Sequence, residues 1–442
     1  MTDLLSTAST ALAPYLRCRR WVIAYSGGLD SHVLLHLAWC LQQSALRRGE
    51  TFPELSAIHI NHQLQSASGD WAEQCQAVCK QYGISFQARL VEVHGHRQGI
   101  ESLAREARYR VFEELIDDDS VLLLGHHQDD QVETFFLRLL RGAGAAGLAA
   151  MPVTRRVGSG VLVRPLLDVS RAVLESYANS QGLAWIEDPS NSDWHYRRNF
   201  LRHRVMPVVA EAWPTYRNTI VAAAALQAET SLLLDSYLNA DIAKLSDEDG
   251  NLKLAELREF DTSRQRALLR QFVLLRTEQR LDQAQTRELA EQFLHSSNDS
   301  QPIFVVNKAM TLRAFRGRLY YVPESVSGRF DSERIFDWRG GECEISGLGR
   351  LSSSAGGKFV PRGNVTVRFR RGGERCRIAG HAHSKSLKNL LQEWGVPPWR
   401  RDTLPLIYCD DDLAAIADIA ICEGFWASDQ EVGLSLHWRW NR

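Results

Sequence analysis

The most constraining feature of this sequence is a glycine pair that separates two apolar segments. The pair lies in the string Ser26-Gly27-Gly28-Leu29-Asp30-Ser31, which follows 21–25 and precedes 32–41. The first segment is rich in strand-forming residues, and the second has the apolar spacing of a buried helix. The pattern predicts a strand, a tight turn and a helix N-terminus, where backbone N–H groups and the helix dipole favour an anion.

The side chains of the turn refine this prediction. Ser26 and Ser31 add hydroxyl donors, whereas the carboxylate of Asp30 would repel a bound phosphate. The presence of a carboxylate at an anion-binding turn is explained if Asp30 holds a divalent metal that bridges the phosphates. The Gly-Lys-Ser/Thr ending of the nucleotide P-loop is absent. The alternative is an ordinary tight turn capped by Ser and Asp.

At these residues the chain resembles the PP-loop ATP pyrophosphatases, whose signature is Ser-Gly-Gly-x-Asp-Ser. The resemblance implies an α/β fold with a parallel-sheet PP-loop domain of the adenine nucleotide α-hydrolase-like type. It also implies cleavage of ATP between the α and β phosphates, adenylation of a carbonyl-type oxygen and release of pyrophosphate. The expected ATP-binding residues are Ser26, Gly27, Gly28, Leu29, Asp30 and Ser31, with Asp30 also on Mg²⁺ and counted as catalytic.

Composition restricts the class of protein. The 442 residues are 44% apolar and 24% charged, as in a globular protein of two or three domains. No apolar run approaches the roughly 18 residues of a membrane span, and no secretory signal is visible. The eight cysteines form no Cys-x-x-Cys pair, so neither a zinc ribbon nor a disulfide scaffold is indicated. We therefore expect a cytoplasmic location. The net charge of −1 gives no whole-chain indication of nucleic acid.

Predicted strands and helices alternate between residues 21 and 141. The strands are expected at 21–25, 55–61, 84–93 and 120–125, and the helices at 31–47, 70–82, 101–116 and 129–141. This alternation predicts a parallel sheet with right-handed crossovers, in which ligands bind at the carboxyl ends of the strands. The end of the second strand, at 58–62, is expected near the adenine.

A second motif lies in the predicted helix that begins near residue 101. Arg105 and Arg108 are one turn apart, so at least one of them could reach a phosphate. A solvated helix face is the alternative. The string Glu-Ser-x-Ala-Arg-x-x-Arg-Tyr is similar to a motif of one branch of the family, the tRNA(Ile)-lysidine synthetases. That resemblance implies that Arg108 binds ATP phosphate.

The fourth predicted strand runs into Gly125-His126-His127-Gln128-Asp129-Asp130. A zinc site would need three or four converging ligands, and a cluster of helix-capping carboxylates is a second alternative. The string closely resembles the same branch. The resemblance implies that Asp130 is a catalytic residue and a magnesium ligand, and that His126 is a catalytic residue near the reacting groups.

Two arginine-bearing segments follow. Residues 138–148 carry Arg138 and Arg141 and contain three glycines, which predict a flexible loop that is either a lid over the substrate nucleotide or a plain linker. Residues 194–217 contain five arginines and one acid, which fits either a solvated helix or a grip on an RNA backbone. Strings in both segments resemble the branch, which implies a catalytic role for Arg202. The residues expected to bind tRNA here are Arg138, Arg141, Arg197 and Arg198.

The rest of the chain divides by composition. One long helix is expected from 214 to about 245, helices near 262–276 and 283–295, a strand pair at 302–307 and 310–322, and a helix near 384–394. The expected domains are a PP-loop catalytic domain at 1–213, a mostly helical connector and substrate-recognition domain at 214–325, a linker at 326–364 and a small α+β domain at 365–442.

Residues 362–402 carry a local charge excess, with ten basic and three acidic residues and two interleaved tryptophans. Basic patches with aromatic residues suit RNA phosphates and unstacked bases, although a solvated domain face is the alternative. Strings in this range resemble the C-terminal domain of long tRNA(Ile)-lysidine synthetases. The residues expected to bind tRNA are Arg370, Arg371, Lys385, Lys388, Arg400 and Arg401.

Together these resemblances imply an ATP-dependent ligase with tRNA(Ile), free L-lysine and ATP as substrates, Mg²⁺ as cofactor and no membrane. The sequence leaves the oligomeric state open, with a homodimer as one candidate. The enzyme would join lysine to C2 of the wobble cytidine of the CAU anticodon through an adenylated intermediate, and codon specificity would change from AUG to AUA. A tRNA thiolase of the same fold and a non-catalytic RNA-binding protein remain alternatives. Thiolases usually need paired reactive cysteines, whereas Cys75 and Cys79 are expected to be buried on a helix away from the loop.

Overall fold

A computed structural model describes residues 4–61, 68–91, 100–295, 302–323, 333–428 and 430–440. His62, at the end of the segment expected near the adenine, lies outside these ranges. The chain forms two compact units, Met1–Leu234 and Asp235–Arg442. Among the described helices, none combines the length and apolar character that a membrane span requires.

The first unit is built on a six-stranded sheet with the order β3-β2-β1-β4-β6-β5. Strand β1 pairs in parallel with both β2 and β4, and only β5 runs antiparallel to its neighbour. The predicted parallel sheet is therefore confirmed. The strands are β1 (Arg20–Ala24), β2 (Glu54–Asn61), β3 (Ser85–Leu90), β4 (Ser120–Leu123), β5 (Thr154–Val157) and β6 (Gly160–Val163).

Helices cover both faces of this sheet. Trp21 and Ile23 of β1 pack into one apolar core with Val33 and Leu37, while Val22 packs into a second core on the other face. This two-sided burial explains why the strand is a continuous apolar run. The helices are α1 (Leu4–Leu12), α2 (Leu29–Arg47), α3 (Ser68–Tyr82), α4 (Ile100–Leu115), α5 (Gln128–Leu139), α6 (Ala145–Leu148), α7 (Arg171–Ser180), α8 (Arg197–Phe200) and α9 (Met206–Ala212), with a π-helical segment at Leu201–Val205.

The hairpin β5–β6 was not predicted, and two glycines fix its position. A Cβ added at Gly158 would lie 2.5 Å from the carbonyl oxygens of Glu113 and Ile116. A Cβ added at Gly160 would lie 2.5 Å from the carbonyl oxygen of Ser120. The turn of the hairpin is therefore seated on the backbone at the C-terminal end of α4, which sets the register of β5 beside that helix.

The long helix α10 (Tyr216–Leu245) leads from the first unit into the second. The next elements are β7 (Leu252–Lys253), α11 (Leu254–Arg258), α12 (Thr262–Thr277), α13 (Gln283–Leu294), β8 (Ile303–Asn307), β9 (Met310–Phe315) and β10 (Arg318–Pro323). The strand expected at 310–322 is instead two strands, so that prediction was wrong. Arg316 and Gly317 have φ values of 47° and 73°, the backbone of a tight hairpin turn that apolar spacing does not reveal.

The C-terminal part combines short antiparallel sheets with one helix. Its elements are β11 (Phe336–Asp337), β12 (Cys343–Ile345), β13 (Gly349–Gly357), β14 (Val365–Arg368), β15 (Arg375–Cys376), β16 (Lys385–Ser386), α14 (Leu387–Glu393), β17 (Leu406–Cys409), β18 (Asp412–Ile416), β19 (Ala420–Ile421) and β20 (Gly433–Trp440). From residue 333 onward, the range expected to be a linker is folded: β13 pairs along β20, and Leu351 is fully buried. The Gly and Ser residues of β13 suggested a loop, but pairing with a distant strand overrides that local preference.

Candidate active site

The turn predicted to bind an anion joins the end of β1 to the start of α2. The Ser31 hydroxyl donates to the Gly28 carbonyl at 3.0 Å and accepts from the Ser26 backbone N–H at 3.2 Å. The two serine hydroxyls lie 3.0 Å apart. These bonds hold the loop in shape at the N-terminus of a long helix, where backbone N–H groups remain for a ligand.

Gly27 is required at its position for two reasons. Its φ is 85°, and an added Cβ would lie 2.5 Å from Cδ1 of Ile186 and 2.8 Å from Sγ of Cys75. Cys75 therefore packs directly beneath the loop, and the expectation that it lies away from the loop was wrong. Burial raises the pKa of Cys75 and of Cys79 to about 12. Both thiols thus stay protonated near neutral pH, which fits packing rather than reactive chemistry.

A cavity of about 310 Å³ opens beside the loop. It brings together seven of the predicted residues and adds Arg198, which had been expected on tRNA. Gly27, Leu29 and Arg202 do not line it; Leu29 is buried in the core beneath the sheet. The residues of the wall with polar side chains or loop backbone are Tyr25, Ser26, Gly28, Asp30, Ser31, Arg105, Arg108, Tyr109, Gly125, His126, Asp130 and Arg198.

His127 joins the two carboxylates that were predicted to bind metal. Its fully buried Nε2 lies 3.5 Å from Oδ2 of Asp30 and 3.5 Å from Oδ2 of Asp130. Burial lowers the pKa of His127, but the carboxylates of Asp30, Asp130 and Asp129 prevail and raise it. Burial likewise raises the pKa of Asp130, but His127 and Arg198 prevail and lower it to about 2. The sequence analysis assigned no role to His127.

The two carboxylates differ in what they can offer to a cation. Oδ1 of Asp130 accepts from Arg198 at 2.8 Å, and Oδ2 accepts from the His127 backbone N–H at 3.1 Å. Oδ1 of Asp30 is buried without a hydrogen-bond partner. No group of three or more His, Cys, Asp or Glu within the described ranges has metal-site geometry. The residues therefore fit a magnesium ion that takes most ligands from phosphates and water, and they do not fit zinc.

His126 is held as a neutral imidazole. Arg164 donates from Nε to Nδ1 of His126 at 3.2 Å, which places the ring proton on Nε2 because a guanidinium can only donate. Burial and then the nearby Arg164 and Arg198 lower the pKa of His126 to about 3, against the opposing effect of Asp130. His126 can therefore donate a hydrogen bond within the cavity, and its Nδ1 is already occupied.

Glu133 is a further site residue that sequence reasoning missed. This carboxylate is 2% exposed and accepts from Nε of Arg198 at 2.6 Å and from Nε of Arg202 at 2.6 Å. Burial lowers the pKa of Arg202, but Glu133 prevails and raises it. Spacing could have indicated the cluster, because Asp130 and Glu133 share one face of α5, as do the two arginines one helical turn apart.

The remaining arginines of the first unit lie outside the cavity wall. Nη1 of Arg138 donates to the carbonyls of Gly147 at 2.8 Å and Ala150 at 2.6 Å, so it fixes the glycine-rich loop. Arg141 and Arg197 are exposed. The structure thus gives Arg138 a local partner and leaves the other two guanidinium groups at the surface.

The basic residues of the C-terminal range are partly neutralised. Arg370 pairs with Asp402, Arg371 with Glu333, and Lys385 with Glu393, at 2.8–2.9 Å. The Arg400 guanidinium lies 4.9 Å from the ring centroid of Trp440, and burial lowers its pKa. Arg401 donates to the Val396 carbonyl, and Lys388 is exposed. The charge excess is smaller than residues 362–402 suggested, because four acids outside that range pair with its arginines: Glu333, Asp411, Glu423 and Glu431.

Comparisons with known proteins cover most of the chain. Residues 3–209 match the sequence profile of the PP-loop domain, 252–320 that of the TilS substrate binding domain, and 365–438 that of the TilS substrate C-terminal domain. The chain is 38% identical over 427 residues to the tRNA(Ile)-lysidine synthase of Coxiella burnetii, covering 95% of this chain and 92% of the relative. It is 39% identical over 450 residues to that of Pseudomonas aeruginosa, covering 97% and 95%.

Proposed function

Because the chain belongs to the tRNA(Ile)-lysidine synthase family, we propose that it converts the wobble cytidine of a CAU-anticodon isoleucine tRNA to lysidine. The C2 oxygen of the cytidine attacks the α-phosphorus of ATP, and pyrophosphate leaves. The ε-amine of free L-lysine then attacks C2, and AMP leaves with the former C2 oxygen. The base thereby changes its codon preference from AUG to AUA.

The observation that carries this proposal is the arrangement of the cavity wall. The cavity is lined by residues of the turn Ser26–Ser31, whose helix N-terminus suits the phosphates of ATP, and by His126, Asp130 and Arg198. A volume of about 310 Å³ lies in the range of small-molecule sites. An anion-binding turn and a set of charged side chains therefore line one shared space.

The first step calls for stabilisation of charge on the phosphates. The loop N–H groups and Arg108 are suited to the departing pyrophosphate. His126 is neutral, so its Nε2–H can donate to a phosphate oxygen without carrying its own charge. Asp30, with Asp130 as a second carboxylate, would hold Mg²⁺, which supplies charge neutralisation and alignment of the phosphates.

In the second step negative charge develops on the departing AMP, and positively charged groups held in place beside it stabilise that charge. Glu133 holds Arg198 and Arg202 by short hydrogen bonds, and Asp130 takes a further one from Arg198. This network keeps two guanidinium groups at one margin of the site. Their positive charge favours the negative charge that develops on the leaving group, because it is in place before the reaction begins.

The cysteines argue against thiolation. Cys75 and Cys79 are buried with pKa values raised to about 12, and no cysteine lines the cavity within the described chain. A sulfur-transfer reaction that proceeds through a thiolate has no candidate nucleophile at this site. Lysidine formation needs none, since its nucleophile is the lysine amine.

The test is mass spectrometry of unmodified tRNA(Ile) after incubation with the full-length protein, ATP and isotope-labelled lysine. We expect the wobble cytidine to gain one labelled lysine with loss of water, and a CAU-anticodon methionine tRNA to remain unmodified. A sulfur adduct, or an unchanged cytidine accompanied by tight tRNA binding, would overturn the proposal in favour of a thiolase or an RNA-binding protein.

A further inference from the structure

Three guanidinium groups converge on the side chain of Tyr109. The Arg105 and Arg155 guanidinium carbons lie 5.0 Å and 4.2 Å from the ring centroid. Arg105 also donates to the Tyr109 hydroxyl at 3.5 Å, and Arg164 interacts with the same hydroxyl. Cation–π contacts of this kind restrain guanidinium groups while their N–H edges stay available to another partner.

The packing of β5 against α4 brings these residues together. Tyr109 lies on α4, beside Phe112 of the second apolar core. Val157 of β5 is buried in that same core, so Arg155, two residues earlier, lies on the face of the strand that meets α4. The glycine turn seated on the end of α4 holds this register. Arg156 lies on the opposite face of β5.

The cluster carries positive charge without internal compensation. Within the described chain, Arg105, Arg155 and Arg164 form no ion pair with a carboxylate, whereas Arg198 and Arg202 are paired with Glu133. Burial chiefly lowers the pKa of Arg164, and Arg155 and Arg105 lower it further by like-charge repulsion. A set of cations that repel one another is stabilised when an anion binds among them.

The position of the cluster indicates which anion. Arg105 and Tyr109 line the cavity, whereas Arg155, which packs on the Tyr109 ring, does not line it. The anion-binding loop for ATP is formed by other residues, Ser26–Ser31. A line of positive charge that begins at the cavity and continues outward suits an extended chain of phosphates that enters the cavity at one nucleotide.

We infer that Arg105, Tyr109 and Arg155 form a subsite for an RNA phosphodiester next to the nucleotide that enters the cavity. Arg105 and Arg155 contact the phosphate, and Tyr109 positions both guanidinium groups by stacking. The identity of the RNA as an anticodon loop rests on the proposed function. The subsite itself rests on the geometry and charge of these three residues.

The test compares Arg155→Gln with Arg156→Gln in the full-length protein. Both variants remove one exposed positive charge from adjacent positions of β5, but only Arg155 stacks on Tyr109. Affinity for a CAU anticodon stem-loop is measured over a range of salt concentrations, and ATP affinity is measured separately. We expect Arg155→Gln to weaken RNA binding several-fold and to reduce the salt slope by about 0.7, the value for one single-strand phosphate contact. Arg156→Gln should change neither quantity, and ATP affinity should be unchanged in both.

A set of stem-loops, each with one uncharged methylphosphonate linkage, locates the contact. At one linkage adjacent to the wobble cytidine, the methylphosphonate and Arg155→Gln together should reduce the binding free energy by less than the sum of their separate effects. Equal effects of the two variants, additivity at every linkage, or a loss confined to ATP affinity would overturn the inference. Because RNA binding is measured without turnover, failure of the subsite is distinguishable from failure of lysidine synthesis, which the mass measurement reports.

Discussion

Arg202 donates two hydrogen bonds to Glu133, from Nε to Oε1 at 2.6 Å and from Nη2 to Oε2 at 3.0 Å. This bidentate pair lies behind the cavity wall, while Arg198 on the same carboxylate lines the cavity. Arg202 is therefore fixed in place by a buried carboxylate whose ion pairs, within the described chain, are with Arg198 and Arg202. We propose that its charge acts on the site from this preorganised position.

We predict that Arg202→Ala lowers the rate of tRNA modification by roughly 100-fold, the scale of losing one preorganised charge in a transition state. The tRNA affinity should stay within about threefold of wild type, because the Arg202 guanidinium is already held by Glu133. Arg204→Ala is the control, since Arg204 is exposed and stacks on Trp194. Normal turnover with poor tRNA affinity would assign Arg202 to backbone binding.

Gly27→Ala should abolish ATP-dependent pyrophosphate release. The added methyl group would collide with Ile186 and Cys75, and φ at this position is 85°. Gly49→Ala is the matched control, because φ there is 72° but nothing lies within 4 Å of an added Cβ. Both variants carry the left-handed strain of about 1 kcal/mol, so this strain alone cannot account for a difference between them. Equal pyrophosphate release by the two variants would contradict the role of the close contact.

The partly buried His126 makes stability depend on pH with a defined sign. Its pKa in the folded protein is lowered to about 3, below the ordinary value of about 6.5, so the unfolded chain binds a proton that the folded chain does not. This contribution is fully present above pH 6.5 and is lost as the pH falls towards 3. Between pH 7.5 and 5.5 the loss from His126 should be about 1 kcal/mol.

The variant His126→Gln keeps an acceptor for Arg164 but cannot titrate. Urea unfolding of the first unit, followed at pH 7.5 and 5.5, should therefore show a smaller loss of stability for His126→Gln than for wild type. The exposed His203 provides the control variant His203→Gln, which should behave as wild type. An unchanged pH dependence in His126→Gln would show that other groups account for the acid sensitivity.

We predict that basic residues of the C-terminal domain bind tRNA phosphates. A residue without a carboxylate partner should contribute more to this binding than a paired one. Lys388 is exposed and forms no ion pair within the described chain, whereas Lys385 is paired with Glu393. We expect Lys388→Gln to reduce the salt slope of tRNA binding by about 0.7–0.9 and Lys385→Gln to reduce it less. Lys80→Gln is the control, because Lys80 is exposed at the end of α3, outside the domains matched to substrate binding.

Neutralising Arg370, Arg371, Lys385 and Lys388 together should lower the slope by less than four full contacts, since three of the four have carboxylate partners. Charge variants are preferable to a chain ending near 360, because that cut would remove β20, the pairing partner of β13. A salt slope equal to that of wild type in the fourfold variant would show that this domain does not contact the RNA backbone.

The sequence predicted the elements whose signals are local. The strand–turn–helix unit around Gly27, the parallel sheet and α10 follow from apolar spacing and glycine placement. The hairpin turn at Arg316 and Gly317 and the strand β13 were missed because backbone φ and pairing with a strand about 80 residues away decide them. Local propensity contains neither quantity.

The site was predicted in the same uneven way. Residues within one motif, such as His126 and Asp130, lie on one cavity wall as their spacing suggests. Glu133, His127 and Arg155 were missed because their importance comes from contacts between distant segments. The charge of the C-terminal range was overestimated for the same reason, since Glu333 lies outside the range whose charges it offsets.

The most direct test of the account measures whether the α-phosphate of ATP is transferred to tRNA. Unmodified tRNA(Ile) is incubated with the full-length protein and ATP labelled at the α or the γ phosphate, without lysine. The account predicts that α label alone becomes attached to the tRNA and is released as AMP when lysine is added, and that Asp30→Ala abolishes this transfer while tRNA affinity is retained. Transfer of the γ label to tRNA would contradict the account. So would lysine incorporation without an α-labelled intermediate, combined with full activity of Asp30→Ala.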